Sequence, residues 1–154
     1  MKVILPGSYD PITLGHLEIV KKASKLYDEV YVVAFVNPEK KYRFTTDERL
    51  EMLRLATEEY SNVEVDFSDG YVIDYMREHG IDKIVKGYRN ETDLEYEKKQ
   101  AEYNLKFGGF ETELWLADSD FCRISSTKAR SLIEKNSDLS EILPEKVISF
   151  INSH

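Results

Sequence analysis

Apolar and polar residues follow two periods along this chain, and the two alternate. Short apolar runs, typical of buried strands, are separated by longer segments whose apolar residues recur every three or four positions, as in amphipathic helices. The strand-like runs lie at Lys2–Leu5, Val30–Phe35, Val63–Phe67, Lys83–Val85 and Glu113–Ala117. The helical segments lie at Gly15–Tyr27, Thr46–Tyr60, Tyr71–His79, Thr92–Phe107 and Ser125–Glu134, with a short final helix that opens at Pro144.

This alternation predicts one α/β domain that spans residues 1–154. Strands that alternate with helices require crossover connections, which favour a five-stranded parallel sheet with helices on both faces. No internal repeat, low-complexity tract or Pro/Ser-rich linker interrupts the pattern. In open sheets of this type the ligand crevice lies beyond the carboxyl ends of the strands. The functional residues are therefore expected in the segments that follow the strands.

Composition places the chain among soluble globular proteins. Its 154 residues are 42% hydrophobic and 32% charged, which is ordinary for one domain with a full core. No apolar stretch approaches membrane-spanning length and no signal peptide is visible, so we expect a cytoplasmic protein that does not bind a membrane. Cys122 is the only cysteine, which excludes intrachain disulfides and a cysteine-rich metal site.

The net charge of -8 changes the range of possible partners. A general affinity for DNA or RNA needs a basic surface, so nucleic acid is not an expected partner. One phosphorylated small molecule remains possible, because it needs only a few positive groups gathered in one cleft.

The segment Pro6–His16 carries the most information about function. It reads Pro-Gly-Ser-Tyr-Asp-Pro-Ile-Thr-Leu-Gly-His and connects the first predicted strand to the first predicted helix. Free backbone N–H groups at a helix start attract anions, and His16 adds a side-chain donor there. The segment contains neither GxGxxG nor GxxxxGK followed by Ser or Thr, so neither a dinucleotide fold nor a P-loop is indicated. A site for a nucleotide phosphate is the hypothesis.

Three further segments follow predicted strands and carry similar chemistry. Asn37–Arg43 and Lys86–Asn90 are basic loops, and Asp118–Arg130 contains a Ser-Ser-Thr run at the head of a predicted helix. A basic loop alone is usually solvated surface, and Ser-Ser-Thr alone is usually a helix cap. Because the carboxyl ends of parallel strands share one edge, the three segments and the Gly-His segment are expected to meet there.

These segments carry a family resemblance. The Gly-His loop resembles the T/SxGH signature of the nucleotidyltransferase superfamily, whose Rossmann-like fold we therefore expect. From Pro6 to about Pro144 the chain resembles the bacterial phosphopantetheine adenylyltransferase family. The Gly-His loop and the run Ile124–Thr127 are shared with other nucleotidyltransferases, whereas the segment Gly87–Asn104 is more particular to this family.

The resemblance implies an adenylyl transfer from ATP to 4'-phosphopantetheine that gives dephospho-coenzyme A and pyrophosphate. Such a reaction must bring two polyanions together and neutralise an in-line transition state. A phosphomonoester is mostly dianionic at neutral pH and needs no strong base to become a nucleophile. Cationic side chains and helix starts suit that chemistry, and no covalent intermediate is expected.

The resemblance also implies roles for individual residues. The implied catalytic residues are His16, Lys40 and Arg89. His16 would donate to the α-phosphate, and Lys40 would bridge the reacting phosphates. The residues implied to bind the acceptor are Ser8, Lys40, Lys86 and the backbone around Val72. The residues implied for the ATP site are Ser8, Tyr9, His16, Gly87, Tyr88, Arg89, Glu97, Phe121, Cys122, Arg123, Ile124, Ser125, Ser126 and Thr127.

Cofactor and assembly are likewise implied only by resemblance. Mg²⁺ is expected to arrive with ATP, held by phosphates and water, so no protein ligand set for a metal is expected. A homohexamer and feedback inhibition by coenzyme A are further expectations. Two positions depart from the family pattern: Lys86 stands where Arg is usual, and Arg123 replaces a commonly apolar residue. A lysine offers a point charge instead of a bidentate fork, which bears on acceptor recognition.

Two other functions stay open from the sequence. A sister enzyme could transfer a nucleotide to nicotinate mononucleotide or glycerol phosphate, although the segment Lys86–Asn104 fits those relatives poorly. A non-catalytic sensor of ATP or coenzyme A would keep the cleft without the transfer. His79 and Trp115 are expected to be structural. Cys122 lies near the proposed site, where it is expected to be a small half-buried residue whose thiol chemistry is not needed.

Overall fold

Five strands and six helices follow one another in a computed structural model that describes residues 1–154. The strands are β1 (Lys2–Gly7), β2 (Glu29–Phe35), β3 (Val63–Ser68), β4 (Lys83–Tyr88) and β5 (Thr112–Leu116). The helices are α1 (Leu14–Leu26), α2 (Thr46–Thr57), α3 (Val72–His79), α4 (Glu91–Gly108), α5 (Ser126–Glu134) and α6 (Glu145–Asn152). Every element predicted from the sequence is present.

The strands form one all-parallel sheet in the order β3-β2-β1-β4-β5. The chain first builds outward from β1 to β3 and then returns to the other side of β1 to add β4 and β5. The connections that leave β1 and β4 therefore diverge, which opens a crevice between their carboxyl ends. The predicted α/β fold with a five-stranded parallel sheet is confirmed.

Each face of the sheet is covered by helices, as the near-continuous apolar strands require. Val3 and Leu5 point into the larger cluster, which α1, α2, α5 and α6 close, whereas Ile4 points into a smaller cluster against α3. Alternate residues of β1 thus bury on opposite faces and fix that strand in the centre. The crevice beside β1 is consequently built on the central strand of the sheet.

β1 and β4 extend furthest beyond the bounds that the sequence pattern predicts. β1 continues through Gly7, and β4 continues to Tyr88 because Lys86–Tyr88 pair with Leu114–Leu116 of β5. The prediction of Lys86–Asn90 as a loop was therefore wrong for its first three residues. At Gly87 an added Cβ would lie 3.0 Å from Ile19 Cγ1, so glycine allows α1 to pack closely against β4.

Local signals explain where two helices begin and how one ends. Thr45 caps α2 by accepting from the Glu48 N–H, and the Glu48 side chain accepts from the Thr45 N–H, which completes a capping box. Ser125 caps α5 by accepting from the Lys128 N–H. α3 ends at Gly80 with φ of 64°, a left-handed conformation that suits glycine.

Residues expected to be structural occupy structural positions. The His79 ring stacks on Tyr75 at 3.9 Å and its Nδ1 lies 2.9 Å from the Tyr75 carbonyl oxygen. Trp115 packs against the larger core cluster and donates from Nε1 to Glu113. Cys122 is half-buried, as predicted. None of the helices has both the length and the apolar character needed to cross a membrane.

Truncating a core side chain of α2 should destabilise the chain far more than truncating an exposed one of α1. Leu53 is 0% exposed, so L53A should lower the free energy of unfolding by about 2–5 kcal/mol through lost burial and a cavity. Leu26 is 67% exposed, and L26A should change it by about 0.5 kcal/mol or less. Urea unfolding followed by circular dichroism measures both, and equal losses would contradict the assigned core.

Candidate active site

A cavity of about 360 Å³ opens at the carboxyl edge of the sheet, between β1 and β4. The β1–α1 loop, the end of β4, the start of α4 and the start of α5 form its walls, and Lys40 reaches it from the β2–α2 loop. The structure therefore brings together segments that are distant in the sequence. Most residues assigned from the sequence line this cavity: Ser8, Tyr9, His16, Lys40, Lys86, Gly87, Tyr88, Arg89, Glu97, Phe121, Ile124, Ser125, Ser126 and Thr127.

Three assigned residues lie outside the cavity wall. Val72 is the first residue of α3 and packs against the smaller core cluster. Cys122 sits in the turn before α5, where its Sγ lies 3.4 Å from the Ala117 carbonyl oxygen. Arg123, in the same turn, is exposed. The cavity of the free chain therefore does not include the surfaces assigned to the pantetheine arm and to part of the adenine contact.

His16 is fixed by the residue that caps its own helix. Thr13 is the N-cap of α1, and its backbone N–H donates to His16 Nδ1 at 3.0 Å. The Thr13 side chain in turn accepts from the His16 N–H. Because Nδ1 is the acceptor in this pair, the neutral imidazole carries its proton on Nε2. His16 is therefore a hydrogen-bond donor whose orientation is set before any ligand binds.

The surroundings of His16 also fix its charge. Burial, followed by the positive charges of Lys86 and Arg89, lowers the pKa of His16 to about 4. The imidazole is thus neutral at pH 7. It can donate from Nε2 to a phosphate oxygen, and it adds no charge to a cavity that already contains several cations.

Tyr9 supports the loop, and its hydroxyl is occupied within the protein. Its backbone has a φ of 49°, in the left-handed region that non-glycine residues rarely adopt, and its hydroxyl donates to the Leu5 carbonyl at 2.8 Å. The ring meets His16 edge-on at 5.0 Å between centroids. A Cβ atom on residue 7 would lie 3.2 Å from the Tyr9 ring, so the glycine at this position leaves room for the ring.

Four cationic side chains surround the cavity, and each is held by an oxygen partner. Lys40 Nζ lies 3.3 Å from Ser8 Oγ. Lys86 Nζ lies 3.4 Å from Glu97 Oε2, and Arg89 Nε donates to Asp93 at 2.9 Å. The fourth is Arg130, which donates to the Asp10 carbonyl at 2.9 Å. The structure thus confirms that basic side chains converge here.

Three residues of this arrangement were not assigned from the sequence: Asp10, Asp93 and Arg130. Asp10 is 3% exposed and accepts from the backbone N–H groups of Arg43 and Phe44 at 2.8 and 2.9 Å, which ties the β2–α2 loop to the Gly-His loop. A signal existed for Arg130, because it lies three residues after Thr127 on the same helix face. Asp93 accepts from Arg89 and holds that side chain in the cavity wall.

The head of α5 presents backbone donors to the cavity. The Ser125 hydroxyl caps the helix, Ser126 Oγ donates to the Pro11 carbonyl at 2.8 Å, and Thr127 Oγ1 accepts from Arg130. Each of these three hydroxyls therefore has a partner within the chain. The backbone N–H groups of Ser126 and Thr127 have no partner in the chain, as is usual in a first helical turn. They remain available to a phosphate.

The cavity does not fit a metal held by the protein. Its three carboxylates, Asp10, Asp93 and Glu97, are each engaged by a cation or by backbone N–H groups. No group of three or more His, Cys, Asp or Glu side chains is arranged to hold an ion. The carboxylates that line the cavity are therefore already partnered within the chain.

A parallel α/β sheet with a cationic cavity at its carboxyl edge is typical of enzymes that act on nucleotides, and comparison with known proteins identifies the family. Residues 4–132 match the cytidylyltransferase-like family model. A phosphopantetheine adenylyltransferase of Corynebacterium diphtheriae is 41% identical over 151 residues, which cover 97% of this chain and 95% of that protein. Those of Thermobifida fusca and Clostridium botulinum are 39% and 40% identical, over 95% and 94% of this chain and 89% of each protein.

The chain belongs to the cytidylyltransferase-like family and, within it, to the phosphopantetheine adenylyltransferases. It is a nucleotidyltransferase enzyme, and the family resemblance inferred from the sequence is confirmed.

The charge state of His16 can be measured directly. We expect its imidazole resonances, identified by their loss in H16Q, to titrate with a pKa of about 4. An unfolded histidine titrates near 6.5, so between pH 6.5 and 4 the unfolded chain binds more protons than the folded chain. The free energy of unfolding should therefore decrease as the pH falls through that window. In K86Q the pKa of His16 should rise, because one of the charges that lower it is gone. A His16 pKa of 6.5 or above in the unmodified chain would contradict the assigned environment.

Proposed function

We propose that this chain transfers the adenylyl group of ATP to 4'-phosphopantetheine and forms dephospho-coenzyme A and pyrophosphate. The single observation that carries the proposal is the convergence of a neutral histidine donor, four cations and the free N–H groups of α5 on one cavity. The relatives named for this reaction over nearly the whole chain support the choice of substrates.

The transfer needs no group that the cavity lacks. A phosphate oxygen of 4'-phosphopantetheine attacks the α-phosphorus of ATP and forms a new P–O bond. The bond between the α-phosphorus and the bridging oxygen to the β-phosphate breaks, and pyrophosphate leaves with that electron pair. The attacking phosphate is already an anion, so no base has to remove a proton. The reaction is reversible, and no covalent intermediate with the protein is required.

Catalysis then depends on position and electrostatics. His16 would donate from Nε2 to a nonbridging oxygen of the α-phosphate, where negative charge increases in the transition state. Lys40, beside Ser8 at the cavity mouth, would bridge the two reacting phosphates. These donors are oriented in the free chain, so little reorganisation is needed at the moment of transfer.

The remaining cations divide between the two substrates. Lys86 would hold the acceptor phosphate, and Arg89 with the N–H groups at the head of α5 would hold the β- and γ-phosphates of ATP. Gly87, Tyr88, Glu97 and the Phe121–Thr127 segment would line the nucleotide site. Mg²⁺ would enter as part of MgATP, coordinated by phosphates and water. Contact between the pantetheine arm and the Val72 region requires a surface beyond the cavity described above.

Three expectations about the wider context remain predictions of the family resemblance. They are the homohexameric assembly, feedback inhibition by coenzyme A and a cytoplasmic location.

A panel of acceptors tests the proposed reaction. Pyrophosphate release should be measured with MgATP and, separately, 4'-phosphopantetheine, nicotinate mononucleotide and glycerol phosphate. We expect turnover with 4'-phosphopantetheine alone. Turnover with another acceptor and none with 4'-phosphopantetheine would replace the proposed substrate and leave the transfer chemistry intact.

His16→Ala separates an enzyme from a nucleotide sensor in the same assay. Loss of the Nε2 donor should lower kcat by on the order of 10²–10³-fold, the range typical of one transition-state donor. ATP affinity, measured by calorimetry, should change little, because the cations remain. A kcat unchanged in H16A would exclude His16 from the chemistry.

The division of cations between substrates predicts opposite effects of two variants. K86A should raise the KM for 4'-phosphopantetheine more than the KM for ATP, because it removes the proposed acceptor cation. R89A should do the reverse, and it serves as the matched control in the same cavity. Steady-state kinetics with each substrate varied in turn measures both. The same pattern in both variants would contradict the assignment.

A further inference from the structure

Arg49 of α2 is a buried cation directly behind the cavity, and none of its partners carries a net charge. It is 1% exposed, its Nη1 donates to the Ser8 carbonyl at 2.9 Å, and its Nη2 lies 3.4 Å from Thr46 Oγ1. Its buried Nε has no hydrogen-bond partner. A guanidinium keeps its charge when buried, so this placement costs free energy. Arg49 does not line the cavity, which means that it does not reach a substrate there.

The face of this guanidinium covers the ring of Tyr42. The Arg49 Cζ lies 3.9 Å from the ring centroid, a cation–π contact of close range. Tyr42 in turn organises the loop that carries Lys40: its hydroxyl accepts from the Asn37 N–H at 2.9 Å, and Lys40 Nζ lies 5.5 Å from its ring. Arg49 therefore contacts both the Ser8 loop and the Lys40 loop.

We propose that Arg49 and Tyr42 are positioning residues that hold the Lys40 ammonium beside Ser8 for the transfer step. Lys40 is an exposed residue on the β2–α2 loop, and the only hydrogen bond of its side chain is the one to Ser8. Without the Tyr42 ring behind the loop, the ammonium would have to be ordered during each turnover, which opposes catalysis entropically. The inference rests on the proposed function, because it assigns Lys40 to the reacting phosphates.

A double-mutant cycle between Tyr42 and Lys40 tests this inference. Y42A should lower kcat by about tenfold, with smaller changes in either KM, because misplacement of one catalytic group affects the transition state most. In a K40A background the same change should lower kcat by about twofold or less, because the group that it positions is already absent. An equal loss in both backgrounds, or no loss in the first, would overturn the inference.

Two variants complete the kinetic test. K41A removes a positive charge from an exposed neighbour of Lys40 on the same loop and should keep the kcat of the unmodified chain. R49K keeps a buried charge and loses the flat fork that stacks on the ring, so it should lower kcat by a factor similar to that of Y42A. An R49K enzyme with unchanged kcat would show that the stack does not matter. If R49K fails to fold, the Tyr42 cycle still decides.

Hydrogen–deuterium exchange tests the same point without turnover. The Asn37 amide and the loop 37–42 should exchange faster in Y42A than in the unmodified chain, and K41A should leave them unchanged. Unchanged exchange in Y42A would overturn the positioning role even if activity falls. If the unmodified chain releases no pyrophosphate from MgATP and 4'-phosphopantetheine, the proposed function fails, and exchange alone then decides whether Arg49 and Tyr42 order the loop.

Discussion

Mutual repulsion among like charges is the constraint on which the site depends. Lys40, Lys86, Arg89 and Arg130 converge on one small cavity in a chain whose net charge is -8. Glu97 pairs with Lys86 and Asp93 pairs with Arg89, and these negative charges offset the repulsion between the two cations. The acidic partners thus allow positive charge to be concentrated before a substrate arrives. Incoming phosphates meet cations whose directions are already fixed, which is the electrostatic preorganisation that phosphoryl chemistry requires.

The same concentration of charge explains why the central donor is a neutral histidine. Lys86 and Arg89 disfavour a second positive charge on His16, and burial acts in the same direction. The N–H of Thr13 occupies Nδ1, so the one remaining ring proton lies on Nε2. A neutral donor of this kind suits the role proposed for His16, which is to stabilise charge at the α-phosphate without proton transfer. This agrees with a nucleophile that is an anion from the start.

The sequence predicts the elements well and their long-range pairing poorly. Periodicity is a local property, and it located all five strands and six helices. Lys86–Tyr88 contain glycine and a charge and so look like a turn, yet pairing with β5 makes them strand. The single domain over residues 1–154 stays a prediction.

The same contrast between local and long-range information applies to the site. Residues with a local signature, such as His16 in the Gly-His loop, were found because the motif itself marks a strand-to-helix turn. Arg130 and Asp10 are 120 residues apart and meet only when α5 docks on the β1–α1 loop. Which hydroxyl is free also depends on such docking, since Ser126 is already bound to Pro11. No local pattern carries that information.

Arg49 illustrates why a buried charge is the hardest of these features to infer. It lies in a helix start rich in charged residues, where an arginine is normally solvated. Only the fold reveals that it is enclosed between Tyr42 and the Ser8 carbonyl. A buried cation with uncharged partners opposes folding, and an apolar residue of similar volume at this position would pack without that cost. It would, however, leave the Ser8 carbonyl without its donor and the Tyr42 ring without its flat partner. Arg49 therefore lowers stability but orders the two loops that meet at the cavity mouth, where Lys40 lies beside Ser8.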